Sequence, residues 1–336
     1  MKKKIAFSLL IIFMFIGLCS YYLYSLQKQT SSVDTQPVEK IVIGNIGEYS
    51  IFNIIAQEKG YFKANKLDVQ IKEYPSGPPE IQDLLAGKIS FATAADFVGV
   101  RNIFADDDLR ILTQVSKHKV FHLLARKDKG IANPTDLKGK TIGVTRQGAG
   151  EFYLGRFLLF NNVPLQTIII RDMTPQQMIT ELRAGTIDAV VIFDPHAYNL
   201  QTELGSRIIT WPAQGDQNIF ALAYTTQSYI NAHPITVSRY VRALLQAEQF
   251  TQIHREDAQT IIATKLHYDM AYVRYMWKNF NFTNELNQEL ILTMEDEARW
   301  AIENKLTNRT EVPNYLDYIY FEALEKAKPD AVTIIH

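Results

Sequence analysis

The spacing of apolar positions changes about two-thirds of the way along this chain. Up to about residue 210, short apolar runs rich in β-branched residues alternate with stretches of helical spacing. The runs at 40–44, 67–71, 89–94, 110–115, 120–125, 141–144, 168–170 and 189–193 read as strands. Helices are predicted over 50–60, from Pro79 to a stop at Gly87, over 151–161, and from Thr174-Pro175 to a stop at Gly185, with Pro195 opening another. Residues 75–79, Pro-Ser-Gly-Pro-Pro, read as a rigid turn, and 133–140 as a turn with one helical turn. This alternation implies largely parallel α/β sheets. The run 220–224 reads as a crossing strand. Beyond it the pattern is helical, with amphipathic helices at 235–254, 258–266, 272–279 and 286–304.

One outline occurs twice, ninety-eight positions apart. Leu84-Leu85-Ala86-Gly87-Lys88-Ile89 leads to Asp96, and Leu182-Arg183-Ala184-Gly185-Thr186-Ile187 leads to Asp194. Each copy reads as helix end, glycine stop, buried strand, then a carboxylate where the strand gives out. L-x-A-G-x-I is also a common helix-to-strand join. Ligands of open α/β sheets bind beyond the carboxyl ends of strands, so two such ends imply two lobes facing one cleft. A chain that builds one lobe, crosses and returns has two crossings, expected near 120–126 and 217–225. That divides the body into lobe 1 (40–122 and 222–336) and lobe 2 (123–221).

The 336 residues are enough for two lobes of ordinary size. With 47% hydrophobic and 21% charged residues the body is globular rather than disordered. Net charge is −1, so no basic excess serves nucleic-acid binding. Lys2, Lys3 and Lys4 precede an apolar run over 5–26, the pattern of an export signal or membrane anchor. Tyr21, Tyr22 and Tyr24 suit an interface, and polar 27–39 reads as a linker. Cys19, the one cysteine, falls inside the signal, so the body has no thiol chemistry. All versions place the body outside the cytoplasm, membrane-tethered or free.

Four segments carry a family resemblance. They are Ala56-Gln57-Glu58-Lys59-Gly60-Tyr61-Phe62 with Leu67-Asp68-Val69; Leu85-Ala86-Gly87-Lys88-Ile89; residues 136–144, Asp-Leu-Lys-Gly-Lys-Thr-Ile-Gly-Val; and Ala184-Gly185-Thr186-Ile187-Asp188-Ala189 with Pro195. In this order the chain resembles the solute-binding proteins of ABC importers, in the nitrate-, sulfonate-, taurine- and thiamine-pyrimidine-binding branch. The resemblance spans roughly 41–335. It implies a type II periplasmic-binding-protein fold, two α/β lobes joined at a hinge, with the C-terminal helices packed on the first lobe. It further implies a monomer that closes on a small-molecule solute, delivers it to ABC permease subunits and needs no cofactor. Ile16-Gly17-Leu18-Cys19 resembles a lipoprotein box, making Cys19 a lipidation candidate, although Leu18 departs from the usual Gly or Ala.

Carried onto this chain, the family's ligand regions fall at Glu48, Tyr49 and Phe52; at Asp96 and Phe97; at Gly148, Ala149, Gly150, Glu151 and Phe152; and at Phe193 and Asp194, with Phe121 and His122 added at the hinge. Carboxylates interleaved with aromatic faces suit an amine, a zwitterion or an amino-heterocycle. A sulfonate or nitrate instead wants helix N-terminal amides with Arg or Lys. Gly148-Ala149-Gly150 supplies such amides and Arg146 or Lys117 the charge, but Glu151 in the first turn is expected to repel an anion. Asp96, Glu151 and Asp194 equally suit helix capping, and Phe121 and Phe152 suit core packing. His118 and His122 are expected on one face of a strand, without the spacing of a metal pair. Two alternatives stand beside the binding protein. One is a pyrimidine-synthase-like enzyme, disfavoured by the cysteine-free body, and the other a membrane-anchored sensor.

Overall fold

The protein is described by a computed structural model covering residues 37–336. The Lys2–Lys4 start, the apolar run, Cys19 and residues 27–36 of the linker lie outside the described residues. No helix among the described residues is long and apolar enough to cross a membrane.

The strands are β1 (Glu39–Asn45), β2 (Leu67–Glu73), β3 (Ala92–Ala95), β4 (Leu109–His118), β5 (Phe121–Arg126), β6 (Thr141–Val144), β7 (Ile169–Asp172), β8 (Ala189–Phe193), β9 (Ile208–Pro212), β10 (Ile219–Thr226) and β11 (Asn281–Phe282). The α-helices are α1 (Ile51–Glu58), α2 (Tyr61–Ala64), α3 (Gly77–Leu85), α4 (Asp96–Ile103), α5 (Ala149–Phe160), α6 (Pro175–Ala184), α7 (His196–Leu204), α8 (Gln227–Ala232), α9 (Pro234–Ile253), α10 (Arg255–Leu266), α11 (Met270–Asn279), α12 (Gln288–Glu303) and α13 (Glu322–Ala327).

The first lobe carries the order β11-β4-β10-β3, and the pair β1-β2 continues it. Ile43 bridges Phe91, and Gly44 N–H donates to the Phe91 carbonyl at 2.9 Å, just before β3. The second lobe carries β7-β6-β8-β5-β9. Both are α/β sheets. They are mixed rather than largely parallel. β10 runs antiparallel to β3 and β4, and β5 antiparallel to β8 and β9. In each lobe the strand that enters through a crossing, β5 in the second and β10 on return to the first, runs against its neighbours.

The two glycine stops of the repeated outline have left-handed backbone, Gly87 at φ 69° and Gly185 at φ 72°, which spares them the Cβ clash other residues would meet. At its start α6 carries a capping box between Thr174 and Gln177. The crossings fall earlier than the apolar runs implied. The chain changes sheet between His118 and Phe121, and again between Pro212 and Ile219; 121–126 and 219–226 are strands within the sheets. The buried Gln214 ties the two crossings together. Its Oε1 accepts from the amides of Val120 (2.5 Å) and Phe121 (2.7 Å), and its Nε2 donates to the carbonyls of His118 (3.3 Å) and Gln217 (3.1 Å).

The C-terminal helices pack on the first lobe, α9 and α10 against α1 and α12 against α4. α12 also touches α5 of the second lobe. There Trp300 packs edge-on to Phe97 and Phe152, at 5.8 and 5.3 Å between ring centres. One apolar core runs through both sheets, from Ile41 and Phe91 to Ile142 and Val191, so the cleft between them is closed.

Candidate functional site

Two small cavities lie in that cleft, with Ile46, Tyr49 and Phe193 forming a wall of each. The first, of about 40 Å³, is lined from lobe 1 by Ser76, Gly77, Pro78, Ala95 and Val98. Lobe 2 contributes Phe121, Thr145, Gly148 and Ala149. It has room for roughly three waters or one compact polar group. Two helix N-termini face each other across it, α3 from lobe 1 and α5 from lobe 2. Neither helix has a side-chain cap from its N-cap residue, Ser76 or Gly148. α5 therefore offers its first amides and α3 the single amide of Gly77, Pro78 and Pro79 having none, together with both positive dipole ends, to an anion. Tyr49 lines the same space, and its Oη is buried without a hydrogen-bond partner.

The second cavity, of about 120 Å³, surrounds Glu48. The residue sits in a 3-10 turn, Gly47–Ser50, between β1 and α1. Tyr268 Oη donates to Glu48 Oε2 at 2.8 Å, while Glu48 Oε1 is buried and unpartnered. Gly47 permits this approach: its φ is +41°, and a Cβ there would lie 2.9 Å from Tyr268 Oη. Burial pushes the Glu48 carboxyl up to about 7; a backbone hydrogen bond and the Tyr268 hydroxyl oppose the shift, and Asp194 adds to it. Tyr74, Phe193 and His196 complete the walls. Burial lowers the His196 pKa from its ordinary value, with Asp194 acting against the shift.

The sequence-derived residues thus divide. Tyr49, Phe121, Gly148, Ala149 and Phe193 line the first cavity, and Glu48, Tyr49 and Phe193 the second. Phe52, Phe97 and Phe152 are fully buried core, Phe97 stacking on Phe152 at 5.3 Å between ring centres. Gly150 packs instead on Val144 and Phe121.

Three of the four carboxylates are satisfied elsewhere. Asp96 is fully buried; its oxygens accept from the amides of Phe97 (2.9 Å) and of Phe220 on β10 (3.1 Å). It also meets the buried Glu297 of α12. Burial pushes Asp96 up to about 7 and Glu297 well above the usual range, with the Asp96 charge adding to the latter. Glu151 accepts from Arg146 Nε (3.0 Å) and the Gln147 amide (2.8 Å). It thus holds its own loop and is paired with Arg146, which offsets its charge. Arg146 is spent there, as Lys117 is on Glu289 at 2.9 Å, so neither lends charge to the cavity. Asp194 Oδ1 accepts from the Tyr198 amide in the first turn of α7 (3.1 Å), and Oδ2 lies 3.6 Å from His122 Nε2. His118 and His122 do not share a face: His118 ends β4 in the first sheet, stacked on Phe280 at 4.1 Å, and His122 lies on β5 in the second.

Sequence reasoning missed Ser76, Gly77 and Pro78, taken for a turn, and the partners Tyr74, His196 and Tyr268. A serine followed by Gly-Pro-Pro is a legible helix start, with prolines at the first positions. Tyr268 stands 220 residues from Glu48, and no local pattern joins them.

The family described as NMT1/THI5 like matches residues 48–258. A Bacillus subtilis (strain 168) protein described as "Putative aliphatic sulfonates-binding protein" is 22% identical over 334 residues, 97% of this chain and 98% of that one. The alkanesulfonate-binding protein SsuA from Xanthomonas axonopodis pv. citri, in a structure bound to MOPS, superposes with a TM-score of 0.73 at 18% identity. That match covers 85% of this chain and 99% of that one. The desulfurization enzyme DSZB has the same fold, with a TM-score of 0.63 at 13% identity, covering 87% and 99%.

Proposed function

The chain belongs to the NMT1/THI5-like family, and on that premise we propose that it is an extracytoplasmic solute-binding protein, closing two lobes on a small organic anion and delivering it to an ABC permease. The observation that carries this reading is the wall of the first cavity: α3 and α5 bring uncapped N-termini from opposite lobes, beside the unpartnered Tyr49 hydroxyl. A solute touching both walls stabilises the closed arrangement because its contacts exist only there. Each helix terminus contributes about 0.3–1 kcal/mol to an anion at a surface and up to about 2 when partly buried. Sulfonate, the class named for the Bacillus and Xanthomonas relatives, is the class we assign to this cavity.

The expectation of an amine, zwitterion or amino-heterocycle narrows accordingly. A bare amine would set positive charge against positive helix ends, so an amine-bearing solute here is a zwitterion with its anionic end on the helices. Binding without catalysis is favoured over a DSZB-like enzyme by the cavity's hydroxyls. Thr145 Oγ1 donates to the Met173 carbonyl at 2.9 Å, and no hydrogen bond joins Ser76 to a base among the described residues. On this reading the protein lies outside the cytoplasm as a monomer, tethered by its N-terminal segment or free.

Thermal-shift screening of sulfonates, nitrate, amines and aminopyrimidines tests this reading. Sulfonates are expected to raise the melting temperature, with about 2.7 kcal/mol of added stability at one hundred times the dissociation constant. A shift from amines or neutral heterocycles alone would sink the assignment.

A further inference from the structure

The lobes also meet through aromatic rings outside the two cavities. One such contact, Trp300 of α12 on Phe152 of α5, adjoins the crossings. Tyr153 Oη of α5 donates to the Asn218 carbonyl at 3.3 Å, and Asn218 Nδ2 donates to Glu289 in the first turn of α12 at 3.0 Å. Another contact leads outward from the chamber around Glu48. Tyr268 lines that chamber, and Tyr272 and Tyr275 follow at spacings of four and three, which set them on one face of α11. Neighbouring rings of this row lie 5.4 and 6.2 Å apart between centres. Tyr272 is 2% exposed and Tyr275 40%, so the row runs from the chamber wall to solvent. Tyr198, in α7 of the second lobe, meets Tyr272 at 5.6 Å and Tyr275 at 6.4 Å. We propose that Tyr198, Tyr272 and Tyr275 form a latch across the lobe seam, and that breaking it sets the rate at which a solute leaves the cleft. The latch rests on the reading that the lobes close on a solute, and adds the contact that times release. Rings at these separations attract beyond the area they bury. No hydrogen bond joins Tyr198 to α11 among the described residues, and Tyr272 Oη is buried without a partner, so ring packing alone makes the contact. It exists only while the lobes meet, and opening has to break it. Changes of this kind act on dissociation more than on association.

Hydrogen exchange of the full protein without solute reads the opening directly. The reporters are the amides of Gly148 and Ala149, buried on the wall of the first cavity. Tyr198→Ala is expected to speed their exchange about tenfold. Tyr198→Phe keeps the ring and should stay within about twofold of the wild type. Tyr275→Ala cuts the same contact from the other lobe. It should speed exchange too, and it serves if Tyr198→Ala fails to fold. Combined, the two alanine variants should give less than the product of their separate effects, as residues in contact do. In stopped-flow release of propane-1-sulfonate, Tyr198→Ala should raise the dissociation rate by a similar factor. Unchanged exchange in both alanine variants, or equal acceleration by Tyr198→Phe and Tyr198→Ala, overturns the latch and leaves the sulfonate reading standing. Faster exchange in the alanine variants of a protein that binds no sulfonate supports the latch and overturns the sulfonate reading.

Discussion

Glu48 and Asp96 are carboxylates that burial pushes up to about 7, yet their surroundings give them different work. Asp96 is enclosed by the Phe97 and Phe220 amides and by Glu297. Glu48 keeps one oxygen without a partner on a cavity wall. The sequence placed both at strand ends, where either could hold a ligand. What separates them is Phe220, Tyr268 and Glu297, more than a hundred residues away and invisible to local pattern. The raised values fix a sign. A carboxyl whose folded pKa exceeds its unfolded value contributes stability below the unfolded pKa and loses it as pH rises toward the folded one. The unliganded protein is therefore expected to lose stability between about pH 4.5 and 7. Glu48→Gln should lessen that loss by roughly 3 kcal/mol, read from urea denaturation at pH 5 and pH 8. Equal losses in wild type and variant would remove Glu48 from the account.

At the scale of elements, the glycine-stopped helices and the apolar strands were largely legible, because periodicity and φ-permissive residues are local signals. The crossings were not. An apolar run such as 120–125 reads the same whether it bridges two sheets or belongs to one, and Gln214 betrays its part only through four partners in space. Gln214→Ala leaves the Val120 and Phe121 amides buried and unpaired. At about 1–3 kcal/mol for each such group, a loss of roughly 2–6 kcal/mol is expected in denaturant titrations. A loss below about 0.5 kcal/mol would mean the crossings do not depend on it. The contact of α5 with α12 offers a second test. A Cβ on Gly155 would collide with the Trp300 ring. Ala is ordinarily better than Gly in a helix by about 1 kcal/mol. Overpacking costs about 1–3 kcal/mol, so Gly155→Ala should lower the melting temperature. A rise would show that Trp300 gives way freely.

For the whole molecule, the family motifs of the sequence foretold the two-lobe fold, and the repeated outline marks corresponding helix–glycine–strand joins in the two lobes. The solute's polarity was harder to read. Carboxylates and aromatics are conspicuous in a sequence, whereas helix N-termini bind anions through backbone amides that leave little trace in residue type. The central claim is that the solute's anionic end lies between the N-termini of α3 and α5. A crystal structure with 2-aminoethanesulfonate tests it most directly. The predicted result is sulfonate oxygens within hydrogen-bonding distance of the backbone amides at 148–149 and at Gly77. A solute bound outside the cleft, or turned with its ammonium group on those amides, would contradict the account.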